Sequence, residues 1–226
     1  MPEGRPSRYR TATGTQGEAQ RGSRGRVLRN RLGIRRQGEM AQAEYEALLK
    51  AAREYVGQVA ANTSFTAERI CRMHRDWLGG IYEWAGQYRA VEVQKGDFRW
   101  PPACRVAENM RRFDKDVLGR NTPCRPGPRP HVARQIAEVH AELLLIHPFR
   151  EGNGRLARWL ADLMALQAGL PTPDYGFTGR GSKARRRHYL EAVRQGYLGE
   201  YGLLAAFFAE SIERALAARG ARRGGR

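Results

Sequence analysis

The chain has 226 residues, 41% of them apolar, and carries 40 Lys plus Arg against 23 Asp plus Glu, a net charge of +17. That length suits one domain with tails and supports a real core, and the apolar share excludes wholesale disorder. No apolar run reaches the length of a membrane-spanning helix, so no membrane partner is expected.

Residues 1–25, rich in Gly, Arg, Ser and Thr without periodicity, read as a basic, disordered lead. Val27, Leu28, Leu32 and Ile34 then anchor it to a domain spanning 26–217. Tyr45, Leu48, Leu49, Ala52, Tyr55, Val56 and Val59 recur at helical spacing and predict a helix over 41–60. Thr66 reads as an N-cap with Glu68 in the first turn. Its helix runs through Ile70, Met73, Trp77 and Leu78 and stops at Gly79-Gly80. The texture then changes. Val91 and Val93 alternate with polar residues, Lys95-Gly96-Asp97 supplies a turn, and Phe98 and Trp100 alternate again before Pro101-Pro102. That pattern predicts a β-hairpin in a helical protein. A helix follows near 105–118, and the Pro-rich connector 121–130 breaks it. Val132, Ile136, Val139, Leu143 and Ile146 mark a buried helix ending at Pro148. Leu156, Trp159, Leu160, Leu163 and Met164 mark another over 154–168, closed by Gly169 and Pro171. Helices near 185–195 and 202–217 and a basic tail over 218–226 complete an all-α bundle with one small hairpin.

The charge is concentrated at the ends. Residues 1–36 carry +8 and residues 214–226 carry +5. Solvated tails are the plain reading, and nucleic-acid contact through these basic ends is the alternative. Cys71, Cys104 and Cys124 form no CxxC pair, which argues against a disulfide framework or structural zinc and for a reducing, cytoplasmic compartment.

The chemistry concentrates in HPFREGNGRLAR, residues 147–158, between the two most periodic helices. Gly152-Asn153-Gly154 leads into a helix N-terminus, where converging N–H groups and positive potential suit phosphates. Arg155 and Arg158, three residues apart, share a helical face and are able to clamp phosphate oxygens. Glu151 is the only carboxylate in the loop, and a lone carboxylate beside phosphates suits Mg²⁺. His147 is a base able to work near neutral pH. Phe149 is the apolar plug of the loop. Each element alone is common; their conjunction at one helix–loop–helix junction is not.

This segment resembles the Fic family signature, H-x-F-x-[DE]-G-N-G-R-x-x-R, at every specified position. The resemblance extends from about Tyr9 to Phe208 and is of the bacterial cell-filamentation type. VLRNRLGI (27–34) resembles a leading element of such proteins, IYEWAGQYRAVEVQKGDFRW (81–100) the stretch holding the flap hairpin, and YLEAVRQGYLGEYGLLAAFF (189–208) the closing helices. The resemblance implies a Fic-type helical bundle that transfers AMP from ATP to a Ser, Thr or Tyr hydroxyl of a target protein and releases pyrophosphate. It implies His147 as the base and Glu151 as the Mg²⁺ ligand. Gly152, Asn153 and Gly154 would cradle the phosphates, Arg155 would contact the β/γ region and Arg158 the γ-phosphate. Lys95 and Gly96 match the flap position that pairs with the target segment. Tyr189, beside His188, falls where the family's nucleotide base rests. The Doc-type branch departs from GNGR, so AMP transfer is preferred over phosphotransfer or transfer of another nucleotide.

Many relatives carry an inhibitory pattern, [ST]-x-x-x-E-[GN]. The nearest segment, Ser64 to Arg69, fails at its last position and reads as a helix start instead. Restraint by a separate small antitoxin-like chain near Arg158 is the resulting expectation. His140 reads as a packed residue, His74 and His131 as surface or capping residues, and Trp77, Trp84 and Trp159 as core.

Overall fold

The computed structural model describes residues 16–224, with side chains through residue 221. Eight α-helices follow in order: α1 (Gln37–Gln58), α2 (Ala67–Leu78), α3 (Val106–Arg112), α4 (Gly119–Asn121), α5 (Arg129–Ile146), α6 (Asn153–Gln167), α7 (Ser182–Gly196) and α8 (Gly202–Gly224). Two short strands, β1 (Gln94–Lys95) and β2 (Phe98–Arg99), lie between α2 and α3 and pair antiparallel, Gln94 with Arg99 and Lys95 with Phe98. The helix expected near 105–118 is α3 continued by a π-helical turn, Phe113–Leu118. The bundle with one small hairpin is thus the observed fold.

Contacts divide the chain into two compact units. The first comprises residues up to Gln58, Thr66–Arg111 and Ile146–Leu156; the second comprises Val59–Phe65, Arg112–Leu145 and the residues from Ala157 onward.

In the first unit α1 packs on α2. Thr66 caps α2 as expected, its hydroxyl accepting from the Arg69 N–H at 3.1 Å. The buried face of α2, with Ile70, Met73, Trp77 and Leu78, also follows the expected spacing. The face of α1 does not. Met40, Glu44, Ala51 and Tyr55 are its buried residues, whereas Tyr45, Leu49 and Val56 are exposed. The helix is rotated because a carboxylate occupies an inward position, a placement that apolar counting discards. The lead is also corrected. Residues 1–15 lie outside the described residues, but from Gln16 onward the chain is held in place. Ala19 bridges Leu28, the Gln20 N–H donates to the Val27 carbonyl at 2.8 Å, and Arg29 N–H donates to the Glu18 carbonyl at 2.8 Å. These pairings satisfy backbone groups that composition alone leaves unassigned.

In the second unit α7 packs on α8, and Phe207, Phe208 and Ile212 of α8 are buried. The buried Gln167 amide ties its edge. It donates to the carbonyls of Ala60 and Thr63 at 3.0 and 2.7 Å and accepts from the Cys124 N–H. The tail expected from 218 continues α8 as helix to Gly224, because Ala and Arg are good helix formers and outweigh Gly220. Among the described residues no helix is long and apolar enough to cross a membrane.

Candidate active site

The motif loop lies in the first unit and starts with a backbone exception. α5 ends at Ile146, and His147 follows with φ +52°, the left-handed region a side chain rarely adopts. Such a residue persists only where its surroundings over-determine it. Arg89 provides that constraint. It is 2% exposed, and its side chain donates to the carbonyls of His147 (2.8 Å), Val91 (3.0 Å), Pro101 and Ile146. Its backbone N–H donates to the Pro148 carbonyl at 2.8 Å. One guanidinium therefore fixes the turn at His147 and both ends of the hairpin segment. Burial pushes its pKa down, opposed by nearby Glu92.

The His147 ring is 5% exposed and packs against the Trp100 indole, ring centres 4.0 Å apart. Trp100 follows β2 directly and is braced by the edge of Phe98. The hairpin turn is Gly96-Asp97, with Gly96 at φ +58°, a two-residue turn of the type glycine favours. Lys95 is exposed on the first strand. The hairpin thus reaches His147 through Trp100, while Lys95 and Gly96 remain on the outside.

Beneath the loop lies His74. It is fully buried, so the surface placement expected for it is corrected. Its Nδ1 accepts from the Gly86 N–H at 2.8 Å, which leaves Nε2–H to donate to the Glu151 carbonyl at 3.1 Å. Its ring stacks on Phe149 at 3.9 Å, which is itself fully buried as the expected plug. Burial lowers the His74 pKa to about 4, so the ring is neutral at pH 7. Asn153 closes the loop from the other side. Its side chain accepts from the Phe149 N–H at 2.9 Å and donates to the Phe149 carbonyl at 2.7 Å. That amide is spent on the loop itself, so any cradle at Asn153 is made by its backbone. Arg150 is buried too, donating to the Gln16 carbonyl at 2.7 Å.

The cradle forms where the loop enters α6. Gly152 sits at φ +85°, and a Cβ there would lie 2.9 Å from the Trp77 ring. The N–H groups of Asn153 and Gly154 belong to the first turn of α6 and have no intrahelical partner. Glu151 accepts from the Gly152 N–H at 2.9 Å and from Arg155 at 3.4 Å. Arg155 also donates to the Glu44 carboxylate at 2.7 Å and lies over the Trp77 ring, 4.8 Å from its centre. Glu44 was not foreseen. Among the described residues no cluster of three or more His, Cys, Asp or Glu is arranged to hold a metal. Glu151, partly exposed and the loop's one carboxylate, fits Mg²⁺ held mainly by substrate phosphates.

The remaining predicted residues lie in the second unit. The Arg158 guanidinium faces the Phe177 ring, and its carbonyl accepts from the Tyr175 hydroxyl at 3.1 Å. Tyr189 is 5% exposed, its hydroxyl 2.7 Å from His140 Nε2 and in hydrogen-bond reach of Arg158. Its ring meets Phe177 and Phe207. It is packed in the core of this unit, with its hydroxyl spent on His140. His140 is packed as expected, and burial lowers its pKa to about 3, with Arg158 acting in the same direction. Burial raises Asp162, bonded to Tyr175 at 2.8 Å, to about 7.

The Fic/DOC family model matches residues 64–165. Over that stretch the chain is similar to the family. It is 29% identical to "Probable protein adenylyltransferase Fic" of Salmonella typhimurium over 190 residues, 84% of this chain and 89% of that protein. It is also 29% identical to "Probable protein adenylyltransferase y4lH" of Sinorhizobium fredii, over 80% of this chain and 88% of that protein. The Fic fold is seen in the Bep8 domain of Bartonella sp. 1-1C, with a TM-score of 0.66 at 18% identity, covering 82% of this chain and 90% of that one. BepC of Bartonella tribocorum, crystallised with AMPPNP, superposes with a TM-score of 0.66 at 20% identity, covering 81% and 91%.

Proposed function

We propose that this protein is a Fic-type protein adenylyltransferase that moves AMP from ATP to a hydroxyl of a target protein. The observation that carries the reading is the motif loop. His147 is held in a strained turn beside a loop–helix junction that offers N–H groups, Glu151 and Arg155 within one segment. Relatives of nearly full length that bear the adenylyltransferase name support it.

In this reading His147 takes the proton of the target hydroxyl. The oxygen forms a bond to the α-phosphorus, the bond to the β-phosphate oxygen breaks, and pyrophosphate leaves. Asn153 and Gly154 offer backbone N–H groups to phosphate oxygens, and Gly152, whose N–H is held by Glu151, shapes the cradle by its turn. Arg155 and Arg158, one helical turn apart on α6, take the β/γ region and the γ-phosphate. Glu151 is the protein ligand for Mg²⁺, which when bound neutralises phosphate charge. Such transfer depends mainly on positioning and charge neutralisation. The hairpin edge at Lys95 and Gly96 aligns the target segment by strand pairing. Restraint by a separate small chain belongs to the same proposal, supported by the use of Thr66 as the cap and of Glu68 in the first turn of α2. Co-purification of such a chain tests it.

The deciding experiment incubates the full chain with α-³²P-ATP, Mg²⁺ and bacterial lysate beside His147→Ala. Label on protein that disappears in the variant supports the reading. Label from γ-³²P-ATP instead would replace it with phosphotransfer, and label only from another nucleotide would replace the donor.

A further inference from the structure

The carboxylate of Glu44 comes from α1, 111 residues before the arginine it holds. Glu44 is 7% exposed, and every polar part of it is engaged. One oxygen accepts from Arg155 at 2.7 Å and the other from the Tyr82 hydroxyl at 2.6 Å. Its backbone carbonyl accepts from the Trp77 indole N–H at 2.8 Å. The same Trp77 ring lies under the Arg155 guanidinium and against Gly152. The arginine is therefore fixed by one buried carboxylate, one aromatic face and the second, longer contact to Glu151.

We infer that Glu44 is the positioning residue for Arg155, presenting its guanidinium already oriented to an anionic ligand at the α6 cradle. The inference rests on the nucleotide reading above. Two opposing effects need weighing. A carboxylate on Arg155 competes with phosphate for its charge. It also removes the rotamer freedom that an arginine loses on binding. Geometry favours the second effect. A guanidinium has five N–H donors, and Glu44 and Glu151 occupy two nitrogens without exhausting them. The Arg155 side chain is 27% exposed whereas that of Glu44 is 9% exposed, so the anchor lies inside and donors face out. Moving Arg155 away would leave a buried carboxylate without its ion-pair partner, a costly state, so the pair persists on binding.

The test compares wild type, Glu44→Gln, Arg155→Ala and the double variant in the full chain, with ATP affinity by calorimetry and KM and kcat from α-labelled ATP. Glu44→Gln is expected to raise the ATP dissociation constant and KM about three- to tenfold, the cost of ordering one rotamer-rich side chain, with a smaller change in kcat. In the Arg155→Ala background the same substitution is expected to add less than twofold, which a merely structural role would not produce. ATP binding by Glu44→Gln as tight as or tighter than wild type overturns the inference. So does an equal penalty in both backgrounds. If Glu44→Gln fails to fold, Tyr82→Phe frees the second carboxylate oxygen alone and is expected to weaken ATP binding in the same direction; unchanged binding there overturns the inference. A wild-type chain that binds no ATP overturns the adenylyl-transfer reading itself, and is distinguished by failing before any variant is compared.

Discussion

Gly152→Ala probes the cradle most directly. At φ +85° any side chain costs about 1–2 kcal/mol through its clash with the following carbonyl. The added methyl would also lie 2.9 Å from the Trp77 ring, a buried group, and 3.3 Å from Leu78. Overpacking of that kind costs about 1–3 kcal/mol. The sum, about 2–5 kcal/mol, lowers the melting temperature by about 5–15 °C in a chain of this size. Gly169→Ala separates the two contributions. Gly169 has φ +74° but nothing within 4 Å of a built Cβ, so it carries the backbone cost alone. Thermal unfolding followed by far-ultraviolet circular dichroism reads both variants against wild type. A Gly152→Ala loss no larger than that of Gly169→Ala would refute the close approach to Trp77.

Other outcomes follow from the buried polar groups. Arg89→Lys loses the fork that reaches four carbonyls and is expected to cost about 2–4 kcal/mol in urea unfolding and to lower transfer activity; wild-type stability would contradict its anchoring role. Asp162 is raised in the fold to about 7 from 3.8, so its native form holds a proton that the unfolded chain has lost. Its contribution is complete below pH 3.8 and is lost as pH rises through 7. Asp162→Asn should therefore gain stability relative to wild type between pH 4 and 8, and parallel curves would count against it. His74 and His140 are lowered to about 4 and about 3, so they contribute fully above pH 6.5 and lose that contribution as pH falls toward those values. A His74→Gln variant should show a flatter fall in melting temperature between pH 6.5 and 4.

The helices that pack by a simple apolar stripe were legible from the sequence, as were the hairpin and the Thr66 cap. The motif was legible because it is contiguous: His147, Glu151, Gly152, Asn153, Gly154 and Arg155 meet through local chain geometry. Its supports were not. Glu44, His74 and Arg89 reach the loop from 111, 77 and 58 residues away, and each is a polar residue at an inward position. Apolar periodicity assigns such residues to solvent, which is how the face of α1 came to be misplaced. The spacing of Met40, Ala51 and Tyr55 held the only trace of the true face. The pairing of Tyr189 with His140, 49 residues apart, was equally invisible, because nothing in the sequence links a buried hydroxyl to its partner.

The carbonyl shell around Arg89 has a consequence for local opening. The cation is buried with peptide oxygens taking the place of water, and these come from two sources: the start of the motif and the two ends of the hairpin segment. Neither source alone solvates the ion. Detaching either would strand a charge in an apolar interior, so the two detach together or not at all. Amide exchange at Arg89, which is donated to Pro148, should therefore follow the slow, global class, while the turn at Gly96-Asp97 exchanges fast. A flap built this way has a loose tip and a rigid root. In the adenylyl-transfer reading proposed above, the tip would adapt to the backbone of different targets while the root keeps the His147 imidazole in register.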